Sequence, residues 1–286
     1  MLVALSLAAC ARPLTPGERT ADTTMKTHVP TGAWQRDWIS RHGGPRDATV
    51  TVRYVQTPSV FGDVRIPAAR AALAGAASFA QLSDDQLLVL ARQNGFAGYL
   101  TVDGANATWH HEIDFQPSDG GADIGRLEWA TEQTMFEHAL DDSYVEAWST
   151  VSRRDDRFFA VKVSHGDRVE QVLSVAGDHF VYARARAIAL PAATSLAEAI
   201  AASHATRETI VAFLDCEISY GTTHDWRIEH STLPWQEGTR LAFADRLAIG
   251  ANGQPAPRDA AAGEAWSFPV NSLPAAELRT RFPATR

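Results

Sequence analysis

The chain of 286 residues is poor in cysteine, in methionine and in positive charge. Its two cysteines, Cys10 and Cys216, form no disulfide framework, and no metal-type cysteine spacing is present. Lys and Arg total 26 against 34 Asp and Glu, for a net charge of −8. That balance argues against nucleic-acid binding, which needs clustered basic residues. Long apolar runs are also missing. A membrane-spanning helix needs roughly 18 or more consecutive apolar residues, so no span is expected. Nor is there a Walker loop, dinucleotide fingerprint, HExxH or GxSxG element, and neither a cofactor nor a metal is expected.

What is there suits a globular protein. Apolar residues make up 45% and charged residues 21%, enough to bury a sizeable core. The length fits one large domain or two, at roughly 100–200 residues each. Residues 1–30 stand apart. "MLVALSLAAC" is a short apolar run ending at Cys10, like a lipoprotein signal with its lipidated cysteine, yet it lacks preceding positive charge. Met25-Lys26 offers an alternative start. A start near Met25 implies a cytoplasmic protein, whereas an upstream start implies membrane anchoring through Cys10.

Three short patterns recur in the same order. Glu146-Ala147-Trp148-Ser149 returns as Glu264-Ala265-Trp266-Ser267, at an offset of 118 residues. The W-x-x-E-x4-P pattern of Trp109, Glu112 and Pro117 returns at Trp226, Glu229 and Pro234, at an offset of 117. Phe61 and Arg65 return as Phe180 and Arg184, at 119. Agreement among three offsets points to a tandem duplication. Each copy contains about eight strand-like segments rich in β-branched and aromatic residues. After the third comes a helix with a capping box, Ser83 to Gln86 in one copy and Ser195 to Glu198 in the other. Asn94-Gly95 reads as the stop of the first helix, and "ETIVAFLDCEISYG" as one strand. Eight antiparallel strands commonly close on themselves. The expected fold is mainly β: two tandem eight-stranded antiparallel β-barrels over 31–151 and 157–272, each with one inserted helix, followed by a tail over 273–286 that forms a short helix or an arm.

Gly32-Ala33-Trp34 resembles the G-x-W of the first strand in lipocalins. The strings "WHHEIDFQP" and "LDCEISYG…WRIEHSTLPW" resemble a lipocalin-like (calycin-like) double β-barrel family of bacteria and fungi, over nearly all of residues 31–270. The resemblance implies small apolar or amphipathic ligands but brings no established activity. The inserted helix departs from the lipocalin order, in which the helix follows the barrel.

Glu146 and Trp148 are two apart and share a sheet face, as do Phe61 and Arg65. A carboxylate turned inward with Trp148 needs a partner. Internal pairs are therefore expected between Arg65 and Glu112 or Glu146, and between Arg184 and Glu229 or Glu264. Strict alternation in "TWHHEIDF" puts Trp109, His111, Ile113 and Phe115 on one face and His110, Glu112 and Asp114 on the other. Three functional readings follow. In the first, the barrel binds a small molecule against Trp34, Trp38, Tyr54, Phe61, Trp109 and Trp148, with Arg65 and Glu146 as anchors. In the second, His110, His111, Glu112 and Asp114 form an acid–base cluster of a cofactor-free lyase or isomerase, helped by His138, which stands beside Glu137, or by Asp63, which stands beside Arg65, with Arg65 holding an anion. In the third, both barrels are filled and structural. Cys216 reads as a small buried hydrophobe before it reads as a nucleophile activated by His230. Asp215 and Glu217 share a face as a carboxylate pair, more simply a solvated edge. Breaking a buried charge pair costs about 3–5 kcal/mol. Arg65→Ala is therefore expected to lower the thermal stability of the first copy severely, and an unchanged melting temperature would show that Arg65 has no buried partner.

Overall fold

The computed structural model describes residues 28–283 apart from 119, 153, 154 and 156. Cys10 and Met25 lie outside the described residues, as does most of the joint between the copies.

Eight strands run through the first copy: β1 (Gly32–Arg41), β2 (Val50–Gln56), β3 (Phe61–Pro67), β4 (Asn94–Asp103), β5 (Asn106–Asp114), β6 (Asp123–Thr131), β7 (Thr134–Ala139) and β8 (Tyr144–Thr150). Each pairs antiparallel with the next, and β1 pairs with both β2 and β8, so the barrel closes without an edge. Helix α1 (Asp84–Leu90) enters after β3 through the expected capping box of Ser83 and Gln86. It ends at Leu90, and Asn94-Gly95 begins β4 instead of stopping the helix.

The second copy opens in the same way, with β9 (Phe158–His165), β10 (Arg168–Ala176) and β11 (His179–Arg184), then α2 (Leu196–Ala202) and α3 (Arg207–Leu214). At the start of α2, Ser195 accepts from the Glu198 backbone, but the Glu198 carboxylate reaches Thr194 rather than closing a box. The β-branched run "ETIV", expected as strand, belongs to α3, because Thr206 caps its first turn by accepting from the Thr209 backbone N–H. There follow β12 (Glu217–Thr222), β13 (Arg227–Ser231), β14 (Leu247–Ile249), β15 (Pro255–Pro257), β16 (Glu264–Asn271) and α4 (Ala275–Arg281).

The second copy does not close. Its main sheet has six strands in the order β13-β12-β11-β10-β9-β16, while β14 and β15 pair only with each other. That order reproduces β5-β4-β3-β2-β1-β8 of the barrel, with the sixth and seventh strands withdrawn. Proline explains the withdrawal. β15 is Pro255-Ala256-Pro257, and two of its three residues have no N–H to offer a ladder. Their counterparts β6 and β7 contain no proline. The expected second barrel is therefore an open sheet.

Both faces of that sheet are buried. Val172, Val181, Ala183, Cys216, Ile218 and Tyr220 pack on the outer wall of the barrel, against Val55, Val64, Ala97, Ile113 and Phe115, with α1, α2 and α3 closing the seam. The opposite face is filled by Phe159, Phe180, Trp226 and Leu247, and the tail contributes to it through α4 and Phe282. The wall contact is tightest at Gly62, where a Cβ would lie 2.3 Å from Val181 Cγ1. Overpacking a fitted contact costs about 1–3 kcal/mol. Gly62→Ala should destabilise by that amount in chemical unfolding. Added Val181→Ala should leave the double variant more stable than the two separate losses predict, and simple additivity would show that the contact is loose.

Candidate functional site

Two bulges decide which side chains enter the barrel. On β5 the register steps from Ile113 opposite Ala97 to His111 opposite Gly98, so Glu112 is an extra residue and alternation changes phase there. Gly98 makes the bulge possible, since a Cβ would lie 1.9 Å from the His110 carbonyl oxygen. As a result Trp109 and His111 point inward, Ile113 and Phe115 join the wall contact, and Asp114 turns inward beside His111. The strict alternation expected for this strand is broken. On β1 the register steps between Arg36 and Trp38, which sends Arg36 in with Trp148 and Trp38 out against Phe136 and Arg46.

Two guanidiniums and three carboxyl groups meet inside. Arg65 donates to both oxygens of Asp63, at 2.8 and 3.2 Å, and lies 3.9 Å from Glu146. Glu146 is paired with Arg36. Its second oxygen and the Trp148 indole N–H are buried without a protein hydrogen-bond partner. Glu137 stands opposite Glu146 on β7 and accepts from the Tyr144 hydroxyl at 2.8 Å. Burial, reinforced by Glu146, pushes the Glu137 carboxyl up to about 8. Burial also raises Asp63, with Arg65 opposing, and raises the Tyr54 and Tyr144 phenols.

His111 is held between two carboxylates, donating from Nδ1 to Asp114 at 2.6 Å and from Nε2 to Asp123 at 3.0 Å. Its ring stacks on Phe96 with centroids 4.1 Å apart. Burial opposes its charge, but the two carboxylates outweigh burial and hold the imidazolium up to about 9. Among the described residues no group of His, Cys, Asp or Glu side chains is arranged to hold a metal ion.

All of these groups except Arg36 line an open pocket of about 1100 Å³, whose outer part is lined by Tyr99, His110 and Glu112. Of the residues expected to bind ligand, Tyr54, Arg65, Trp109, Glu146 and Trp148 line it. Trp34 and Phe61 belong to the packed apolar cluster of the barrel, where the Trp34 indole donates to the Pro30 carbonyl at 2.8 Å. Of the proposed acid–base cluster, His111 and Asp114 meet inside. His110 stacks on Tyr99 on the outer face, and Glu112 turns to the second copy, bonding Lys162 at 2.5 Å. Arg65 thus pairs with Asp63 and Glu146 and not with Glu112. Arg36, Asp123 and Tyr144 complete the interior and were not anticipated, although alternation from Trp34 and from Trp148 marks Arg36 and Tyr144 as inward.

The second copy keeps none of this arrangement. Arg184 pairs with Asp215 at 2.7 Å and lies 3.8 Å from Glu217, not with Glu229 or Glu264. Glu229 is exposed, and Glu264 bonds Arg246. Trp266 stacks on Phe243 and is partly exposed, unlike the buried Trp148. Cys216 is packed in the seam, where burial raises its thiol to about 11, and His230 stacks on Tyr220. Fold and site together define a closed eight-stranded antiparallel barrel with a charged and aromatic cavity, backed by an open sheet. Among the described residues no helix is long and apolar enough to cross a membrane. Comparison with family models, curated proteins and solved structures finds no match.

The His111 proton is held more tightly in the folded than in the unfolded chain. Its contribution to stability is complete below pH 6.5, the ordinary value, and is lost as pH rises to about 9. His111→Gln should cost on the order of 2 kcal/mol at pH 6, with allowance for partial exposure. The gap from wild type should shrink through pH 9 in urea unfolding, and a pH-independent gap would mean that the imidazole is uncharged.

Proposed function

We propose that the first barrel binds a small organic molecule with an apolar body and a polar end, and that the second copy serves as its structural support. The observation that carries this reading is an open pocket of about 1100 Å³ that reaches from the barrel interior, walled by Tyr54, Phe96, Trp109, Met135 and Trp148, out to the rim at His110, Gln116 and Gly120. Binding pockets commonly span about 300–1,000 Å³ and combine aromatic walls with a few convergent polar groups. Eight-stranded barrels either fill with side chains or hold one ligand, and this cavity favours the second outcome. The lipocalin-like opening Gly32-Ala33-Trp34 accords with that reading, since Trp34 packs in the barrel interior.

One observation favours a second reading. Glu137 keeps its proton up to about pH 8 at the cavity wall, as a general acid would. A cofactor-free lyase or isomerase would then act through Glu137 rather than through His110 and Glu112, and His111, with both nitrogens engaged, would stay an orienting cation. Glu137→Gln that binds substrate without turning it over would select this reading.

Three fluorophores that share the dansyl body and differ in the charge and length of the side arm test the binding function: dansylcadaverine, dansylamide and dansylglycine. At least one should bind saturably at one per chain, with excitation transferred from the barrel tryptophans. Met135→Trp, which fills the cavity, should weaken that binding at least tenfold. Absence of saturable binding for all three would end the proposal.

A further inference from the structure

Charge inside the barrel is not balanced by the protein itself. Asp63, Glu137 and Glu146 face two guanidiniums, Arg36 and Arg65, which leaves one carboxyl group without a cation. Asp114 and Asp123 share the single imidazole of His111, which leaves a second. The charge of Arg65 is already met by Asp63, which takes its Nε and one Nη, while its other Nη lies 3.9 Å from Glu146. With Glu137 protonated, four carboxylates (Asp63, Glu146, Asp114 and Asp123) still face three cations (Arg36, Arg65 and His111), so an anionic ligand would add to an excess of one negative charge in a partly desolvated space.

A separate observation places an unsatisfied acid beside this space. Glu146 is 2% exposed, lines the cavity and has one carboxylate oxygen with no protein partner. Buried carboxylate oxygens are ordinarily satisfied by donors. Aromatic faces surround the same place. The Trp148 and Tyr54 rings are 6.1 Å apart, and the Trp109 indole donates to the Tyr54 hydroxyl at 3.2 Å. Glu137 and Trp109 form one wall, since a Cβ at Gly125 would lie 2.9 Å from Glu137 Cγ and 3.2 Å from Trp109 Cζ3. Carboxylates interleaved with tryptophan and tyrosine are what a protonated amine requires, as ion pair and as cation–π partner.

We propose that the ligand of the first barrel is an organic cation, a protonated amine on an apolar or aromatic body, with its ammonium group beside Glu137 and Glu146. This inference rests on the binding function proposed above. It carries a proton balance. Near pH 7 the Glu137 carboxyl is protonated, so the ammonium displaces that proton, the Glu137 O–H bond breaks, and one proton passes to the buffer. The groups that face Glu137 are Glu146 and Tyr144 on β8, Asp123 on β6, Arg65 on β3 and Tyr54 on β2. Arg36 on β1 acts through Glu146, and the Asp114–His111 pair on β5 through Asp123.

The three dansyl probes decide the matter. At pH 7 dansylcadaverine should bind at least tenfold more tightly than dansylamide, and dansylglycine most weakly. Calorimetry in two buffers of different ionisation enthalpy should show proton release on amine binding. Amine affinity should rise from pH 6 and level off above about 8, while amide affinity stays flat. In Glu137→Gln the amine should lose its advantage and its pH dependence, with amide binding unchanged as evidence of an intact cavity. Tightest binding of the amide or the acid, or no preference among the three, would overturn the cation and leave the binding function standing. If none binds, the binding function itself fails.

Discussion

The whole molecule depends on one contact: the outer wall of the barrel buried against the sheet of the second copy. A sheet with apolar side chains on both faces must be covered twice. In β11, Phe180 and Tyr182 face one core, and Val181 and Ala183 face the other. The barrel covers the second side, and full burial of each valine or isoleucine there contributes about 1.5–3 kcal/mol. The same contact holds the candidate site in place. Lys162 pairs with Glu112, Arg186 donates to the Asp114 and Phe115 carbonyls, and the Leu196 backbone donates to Gln116. Residues 112–116 are thereby gripped by the second copy, and Asp114, the inward partner of His111, lies among them. The site belongs to the barrel, but its edge is set from outside.

How far this was legible can be judged from particular residues. The recurrence of EAWS and W-x-x-E located strands that do occupy matching places in the strand order, and the Ser83 capping box located α1. The equivalence even extends to a feature hidden from pattern reading. A Cβ at Gly98 would strike the His110 carbonyl, and one at Gly221 the Arg227 carbonyl, each at 1.9 Å. Both copies therefore bulge at the same point, and strict period-two reasoning fails after it. That failure misplaced Asp114 relative to His111, because a single inserted residue exchanges inside for outside. The open sheet was legible in principle, since Pro255 and Pro257 stand where a paired strand would be needed. Helix α3 was not, because its cap at Thr206 precedes a β-branched run whose composition favours strand.

Motif recurrence located the fold but not the chemistry. Glu146 and Glu264 occupy the same word in the sequence, yet one meets Arg36 in a buried interior and the other meets Arg246 near the surface. Arg65 and Arg184 likewise hold different acids. Charge partners depend on what lies across the strand and across the space, and nothing in a four-residue repeat encodes that. Of the groups missed in the first copy, Arg36 and Tyr144 lie on the strands of Gly32-Ala33-Trp34 and EAWS, each in inward phase with a tryptophan, whereas Asp123 begins β6 and no pattern in its strand marks it.

The second copy also acts as a control built into the molecule. With the same strand order it fills the corresponding face with Phe159, Phe180, Trp226 and Phe282, although it too buries charge at Arg186, Glu217 and Arg281. Replacing buried ion pairs by well-packed apolar residues is often neutral or stabilising. The first copy nonetheless keeps Arg65, Asp63, Glu137 and Glu146 around open space, with Arg36 paired to Glu146, an unpaired oxygen on Glu146 and a proton retained on Glu137. Interior carboxylates in excess of interior cations lower stability unless something outside the chain compensates them. A charged interior that lines a pocket in the first copy, where the second copy packs aromatic rings, points to what the first copy does rather than to how either copy folds.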